Sequence, residues 1–356
     1  MSKVKRYVES IHRFIKDKSC LLDDKLLPDK DIGTKIHNKL KDSNLILPIV
    51  LLTVMNSQNR KNSLNVPGYY AASSVEFLNT VVKLTENRTE VISEYDVSTY
   101  HSMINYLTVS ANRSLRQNLE TVKNSLKNDK ATAKIYVSVN KILDDNLTYS
   151  KLLGEHNLKF CEHSLDEPRM FKDRQDVVKW WIKDDKELIA KFDSLKRIKR
   201  ESFDSFCSVT TGSLCELSMC IGWLIGCGEE KKLKKIKKAA KYFSNFYKVS
   251  TDIQNVKKDL KTTKNYSTNF AINYGLQNAY EFFMDNMQKF IEEALNLDIY
   301  SNTFIEIVHS VEANVDRVID ETSPDIKSSY SSSASSKSNK PTGKTGGKKS
   351  KSVTTA

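Results

Sequence analysis

Two adjoining segments between Leu214 and Asp259 limit what this chain can fold into. The first, Leu214 to Gly228, alternates Leu, Cys, Met, Ile and Trp with small residues in an apolar run of about 14 residues. A bilayer span needs about 20, so this is expected to be a buried core helix. Gly226 and Gly228 are placed to close it, because glycine tolerates the left-handed conformation of a helix end. The second segment sets Leu233, Ile236, Ala239, Ala240, Phe243 and Tyr247 at helical spacing. Its lysines (Lys231, Lys232, Lys234, Lys235, Lys237 and Lys238) then form a solvated outer face, the preferred reading over nucleic-acid binding. The same register carries Asp252 onto the packed side. A carboxylate among aromatic neighbours is costly without a partner, which makes Asp252 a site candidate.

The rest of the chain agrees with an all-α fold. Eleven glycines and six prolines in 356 residues, with 28% charged residues and long 3.6-period stretches, argue against a sheet protein. Val4, Tyr7, Val8, Ile11, Phe14 and Ile15 form one face of a basic amphipathic helix, read as a docking helix rather than a targeting peptide. Leu45–Met55 is expected as a central buried helix, and Tyr69–Val91 as one long helix. Further helices are expected over 102–126, 131–153, 175–195, 276–297 and 301–318. His156, Cys161 and His163, in an irregular stretch, lack the fourth ligand of a structural zinc site. The six cysteines show no Cys-x-x-Cys spacing and read as buried small hydrophobes of a reducing, cytoplasmic compartment. Abundant Lys, Asn, Ile and Ser fit an AT-rich genome such as that of a large DNA virus or a protist, so a viral or virion-associated setting stays open. No stretch is long and apolar enough for a transmembrane segment. The net charge of +12 is concentrated at one end, since Ile326–Ala356 holds seven lysines and no acid. The expected division is a helical domain over 1–321 and a disordered Ser/Lys/Gly-rich basic tail over 322–356.

Several motifs stand in a recognisable order. Thr210-Thr211-Gly212 is followed, about forty residues on, by Tyr247-Lys248-Val249-Ser250-Thr251-Asp252-Ile253-Gln254-Asn255. Upstream, Glu76-Phe77-Leu78-Asn79-Thr80 leads to Glu86-Asn87-Arg88-Thr89-Glu90, then Glu94-Tyr95-Asp96-Val97-Ser98-Thr99-Tyr100-His101. This order resembles the (E)-isoprenyl diphosphate synthases, the polyprenyl synthetase family. Their pattern is Glu-Leu-x-His-Thr before a first Asp-Asp-x-x-Asp, Arg-Arg-Gly-x-Pro-Thr-x-His, Lys-Thr-Gly, and Phe-Gln-Ile-x-Asp-Asp-x-x-Asp. The resemblance implies an isoprenoid-synthase-type helical bundle, with Glu86, Glu90 and Asp252 as the remaining Mg2+ ligands and Thr211, Lys248, Asn255 and Lys264 as substrate-binding positions. Glu86 and Glu90, at i and i+4, are expected to share one helix face. Where the family carries Gly-Lys-Arg-x-Arg-Pro, alignment on Pro48 puts Asn44, Leu45 and Leu47 at the cationic positions. Glu94 and Tyr95 replace two further arginines.

Three carboxylates in place of about six cannot hold three Mg2+ and a diphosphate with comparable strength. The leading expectation is therefore a synthase-like protein with little or no prenyltransferase activity, serving as a dimerising scaffold, a structural component or a noncatalytic subunit beside a prenyl-synthase-like chain. It would need no cofactor. The alternative is a divergent Mg-dependent enzyme acting on a prenyl diphosphate. A third reading is a binding module whose basic tail contacts nucleic acid or an acidic surface.

Overall fold

A helix apolar on all or nearly all sides must be enclosed by others, and the two such helices here lie against each other. The computed structural model describes residues 2–17, 30–41, 43–58, 65–86, 88–125, 167–168, 196–197, 204, 207–259, 269–328 and 330. The helices expected over 131–153 and 175–195, the His156/Cys161/His163 stretch, Lys264 and residues 331–356 lie outside the described residues. In chain order the helices are α1 (Lys3–Asp17), α2 (Lys30–Lys41), α3 (Ile46–Gln58), α4 (Asn65–Glu86), α5 (Arg88–Glu94) and α6 (Val97–Ser125). They continue with α7 (Ser213–Ile225), α8 (Leu233–Asp259), α9 (Phe270–Tyr274), α10 (Leu276–Asn296) and α11 (Asn302–Thr322). Among the described residues the only β structure is the pairing of Glu167–Pro168 with Lys196–Arg197.

α3 and α7 form the centre. Every residue from Leu47 to Met55 is buried, as is every residue of α7 from Leu217 to its end. The contact is backbone on backbone: a Cβ placed on Gly222 would stand 2.4 Å from the carbonyl oxygen of Leu51, and one on Gly226 2.7 Å from that of Met55. Glycine is thus required at the end of α7 for closeness, not for a left-handed turn. Gly226 has φ −69°, and it is Cys227, at φ +65°, that adopts the left-handed conformation. Gly228 then lies under the ring of Trp223, whose indole nitrogen donates to the Glu229 carbonyl at 3.0 Å.

Around this pair the chain packs as amphipathic helices. α4 packs along α6, where the Ser74 hydroxyl donates to the Ala111 carbonyl at 2.9 Å. α8, α10 and α11 share an aromatic core in which Phe243 touches Phe246, Phe290 and Phe304 at ring separations of 5.0, 5.2 and 6.3 Å. Edge-on pairs of this kind add about 0.5–1.5 kcal/mol each beyond their buried area. The amphipathic N-terminus docks as expected: Ile11 and Ile15 are buried and Phe14 stacks on Tyr69 and Tyr70. The carboxylate of Glu306 in α11 accepts from the backbone N–H groups of Lys3 and Val4, capping α1 from across the fold.

The ordered chain runs past Glu321. Ile326 is buried, Tyr330 meets the Tyr280 ring edge-on at 5.8 Å, and Lys327 pairs with both Asp316 and Asp320.

Gly222→Ala is expected to destabilise the protein by about 1–3 kcal/mol, because the added methyl must displace a main-chain carbonyl rather than a side chain. Phe290→Ala, which leaves a cavity, is expected to cost about 3–5 kcal/mol. Denaturant unfolding of both variants beside the parent checks this.

Candidate functional site

The second acidic motif lies on α8, where Asp252 is 3% exposed. Both carboxylate oxygens are engaged. Oδ1 pairs with the Lys248 ammonium one turn back on the same helix, and Oδ2 accepts from the backbone N–H of Phe270, the first residue of α9, at 2.9 Å. The Asn269 side-chain amide donates to the Asp252 carbonyl and to Asp259 Oδ2, each at 2.8 Å, while its oxygen caps α9 through the Ile272 N–H. Burial pushes the Asp252 carboxyl up to about 6, against the downward pull of Lys248 and the Phe270 N–H. Asp252 therefore fastens α9 to α8.

A second polar cluster gathers where α4, the turn before α3 and α8 converge. Glu76 on α4 is fully buried, and burial raises its carboxyl above the ordinary range despite the nearby Lys83 and hydrogen bonds with Ser43, Asn79 and Thr80. Lys83 donates to the Ser43 hydroxyl at 3.3 Å. Asn44 donates to the Tyr247 hydroxyl at 2.7 Å, and burial drives that phenol up to about 12, with Cys215 and Glu76 adding to the push. The turn that supplies Ser43 and Asn44 passes through Leu45 at φ +53°, an uncommon conformation for leucine. Glu76 enters the sequence only as part of a motif lead-in. Its mark there is a lone acid in the otherwise small and apolar run Ala71–Leu78.

Among the described residues the other expected positions are spread over several elements. Glu86 ends α4, whereas Glu90 is exposed on α5, so the two belong to different elements and not to one continuous helix face. Thr211 lies half-buried in a π-helical turn, Ser208–Gly212, ahead of α7, and Asn255 is half-buried one turn beyond Asp252. Among the described residues no three His, Cys, Asp or Glu side chains come together as a metal-binding group. Asp252, where the motifs suggest a Mg2+ ligand, meets a donor of the fold at each oxygen. Two cations of α2 are also engaged: Lys39 pairs with Glu94 at 3.0 Å, and Lys35 and Lys39 both stand over the Tyr95 ring.

One detail supports the motif alignment itself. Asp96 falls where the family pattern has glycine, and its φ is +144°, a region glycine enters freely. Here the aspartate caps α6, accepting from the Thr99 N–H and hydroxyl, each at 2.7 Å.

No family model matches the chain. No curated protein matches it by sequence. Solved structures do match. A geranyltransferase from Helicobacter pylori, complexed with magnesium and isoprenyl diphosphate, is 15% identical with a TM-score of 0.53, covering 89% of this chain and 95% of that one. The geranyltranstransferase of Thermotoga maritima is 11% identical with a TM-score of 0.54, covering 88% and 100%. A geranyltransferase from Legionella pneumophila is 12% identical with a TM-score of 0.53, covering 88% and 96%. The fold is that of the isoprenoid synthases. The all-α architecture expected from the motif order stands, at a divergence where sequence comparison alone finds nothing.

A carboxyl that binds its proton more tightly folded than unfolded contributes most to stability below its unfolded value, and the contribution is lost as pH rises through the folded one. For Asp252 that window runs from about 4 to about 6. Asp252→Asn is expected to gain in thermal midpoint relative to the parent as pH rises across it. Lys248→Ala, which strands the carboxylate, is expected to cost about 3–5 kcal/mol at neutral pH. Thermal scans of both variants between pH 4 and 8 measure this.

Proposed function

We propose that this protein is a noncatalytic derivative of the isoprenoid-synthase architecture that acts as a scaffold, structural component or partner subunit. The observation that carries this reading is the internal use of Asp252, whose carboxylate serves Lys248 and the Phe270 N–H. In the prenyl diphosphate synthase reaction metal ions neutralise the leaving diphosphate, so the carboxylates that hold them must face the substrate. This one faces its own helix and the start of the next.

Replacement at the cationic positions supports the same reading. Asn44 bonds to Tyr247, Leu45 is buried, and Glu94 and Tyr95 bind lysines where the family pattern has arginines. A site that has lost its metal ligands could still trap a diphosphate with cations. Here those positions have turned to internal hydrogen bonds and packing.

Calorimetric titration of the purified protein with a prenyl diphosphate and Mg2+ is expected to give no metal-dependent heat. Metal-dependent binding that disappears in both Glu86→Ala and Asp252→Ala would overturn the proposal and establish a divergent Mg-dependent enzyme.

A further inference from the structure

Several surface cations of this fold are paired where they stand. Lys35 pairs with Asp31, Lys39 with Glu94, Lys231 and Lys232 with Glu229, Lys237 with Glu216, Lys238 with Glu293, Lys289 with Asp285, and Lys327 with Asp316 and Asp320. α1 carries the largest group that is not paired. Lys3, Lys5, Arg6, Arg13 and Lys16 are exposed along it, with Glu9 among them and Asp17 as its last residue, and none of the five cations forms an ion pair among the described residues. His12 adds no charge near neutrality, since burial lowers its basicity.

The topology places a second group of cations at the same end of the bundle. The N–H groups of Lys3 and Val4 meet Glu306 near the start of α11. The first half of α8 faces the last turns of α10 through Lys238–Glu293 and Phe243–Phe290, and both phenylalanines touch Phe304, also near the start of α11. Lys234, Lys235 and Lys241 of α8 are exposed there without carboxylate partners among the described residues. Several acids of this end are engaged, Glu306 by the α1 backbone, Glu293 by Lys238, Glu229 by Lys231 and Lys232, and Glu216 by Lys237, while Glu230, Glu292 and Asp298 are exposed.

We infer that the outer face of α1, extended by Lys234, Lys235 and Lys241, is a docking surface for the phosphate backbone of a nucleic acid. α1 is held rigidly by Ile11, Ile15, the Phe14 stack and the Tyr7–Asn56 hydrogen bond, so its cations are fixed along about 20 Å of helix. Fixed cations over that length suit a polymer with one negative charge per about 1.7 Å of duplex axis. A lipid surface fits less well. A membrane-bound amphipathic helix inserts its apolar face, and in α1 that face is buried in the core. Binding of this kind reads the backbone and not the base sequence.

The test is fluorescence anisotropy with the full-length protein and a labelled DNA duplex of about 20 base pairs across about 50–200 mM salt, where counterion release makes phosphate contacts visible. The combined variant K3Q/K5Q/R6Q/R13Q/K16Q is expected to bind at least about tenfold more weakly and to lower the slope of log affinity against log salt by about 3–4, at roughly 0.9 per lost contact. K234Q/K235Q/K241Q is expected to weaken binding in the same direction. The charge-preserving K3R/K5R/R6K/R13K/K16R should bind like the parent, which guards against a folding effect. Replacing the six lysines of residues 331–356 by glutamine should leave the contribution of α1 in place. The inference is overturned if the parent does not bind the duplex, if the α1 variant binds it unchanged, or if the tail variant alone abolishes binding. It is equally overturned if the α1 cations prove necessary only for anionic phosphatidylserine vesicles or for an acidic protein, and not for the duplex.

Discussion

A carboxylate taken out of water has to be compensated where it stands. Asp252 is compensated locally, by an ammonium one turn back on its own helix and by the first N–H of the next helix. This choice settles much of what the surrounding structure can do. Asn269 and Asp259 are drawn into the same network, and each oxygen of the acid already meets a donor of the fold. Buried pairs of this sort add little net stability over apolar packing, but they are costly to break once present. Their effect is to fix geometry.

The cluster around Glu76 is held in the same way, by groups of the fold itself. Asn44 addresses Tyr247 and Lys83 addresses Ser43, with Glu76 beneath. The backbone kept its form even where the residue changed, as Asp96 illustrates by holding a conformation suited to glycine.

Much of the fold was legible in the sequence because periodicity reports burial directly. Leu45–Met55 is apolar all round and Leu217–Ile225 nearly so, and they form the enclosed pair; the one-sided pattern of α8 gives a half-buried helix. The ends of elements were less legible. Residues 69–96 contain neither glycine nor proline, so nothing local announces the division between α4 and α5 that separates Glu86 from Glu90. The left-handed residue after α7 is a cysteine between two glycines, because close approach to Met55 and the Trp223 ring, and not turn geometry, dictates where glycine must be. Asp252 could be picked out as a charge on an apolar face. That its partner would be Lys248, at i−4, could be guessed from spacing, but the N–H of Phe270 depends on how the chain returns after α8.

The double role of the Asn269 amide bears on how this protein could be altered. It bonds at once to Asp252 and to Asp259, so the two ends of the stretch from 259 to 269 are clamped together at their base. Replacing Asn269 would therefore take away the Asp252, Asp259 and Ile272 contacts together, so one substitution would loosen the end of α8 and the start of α9 at once.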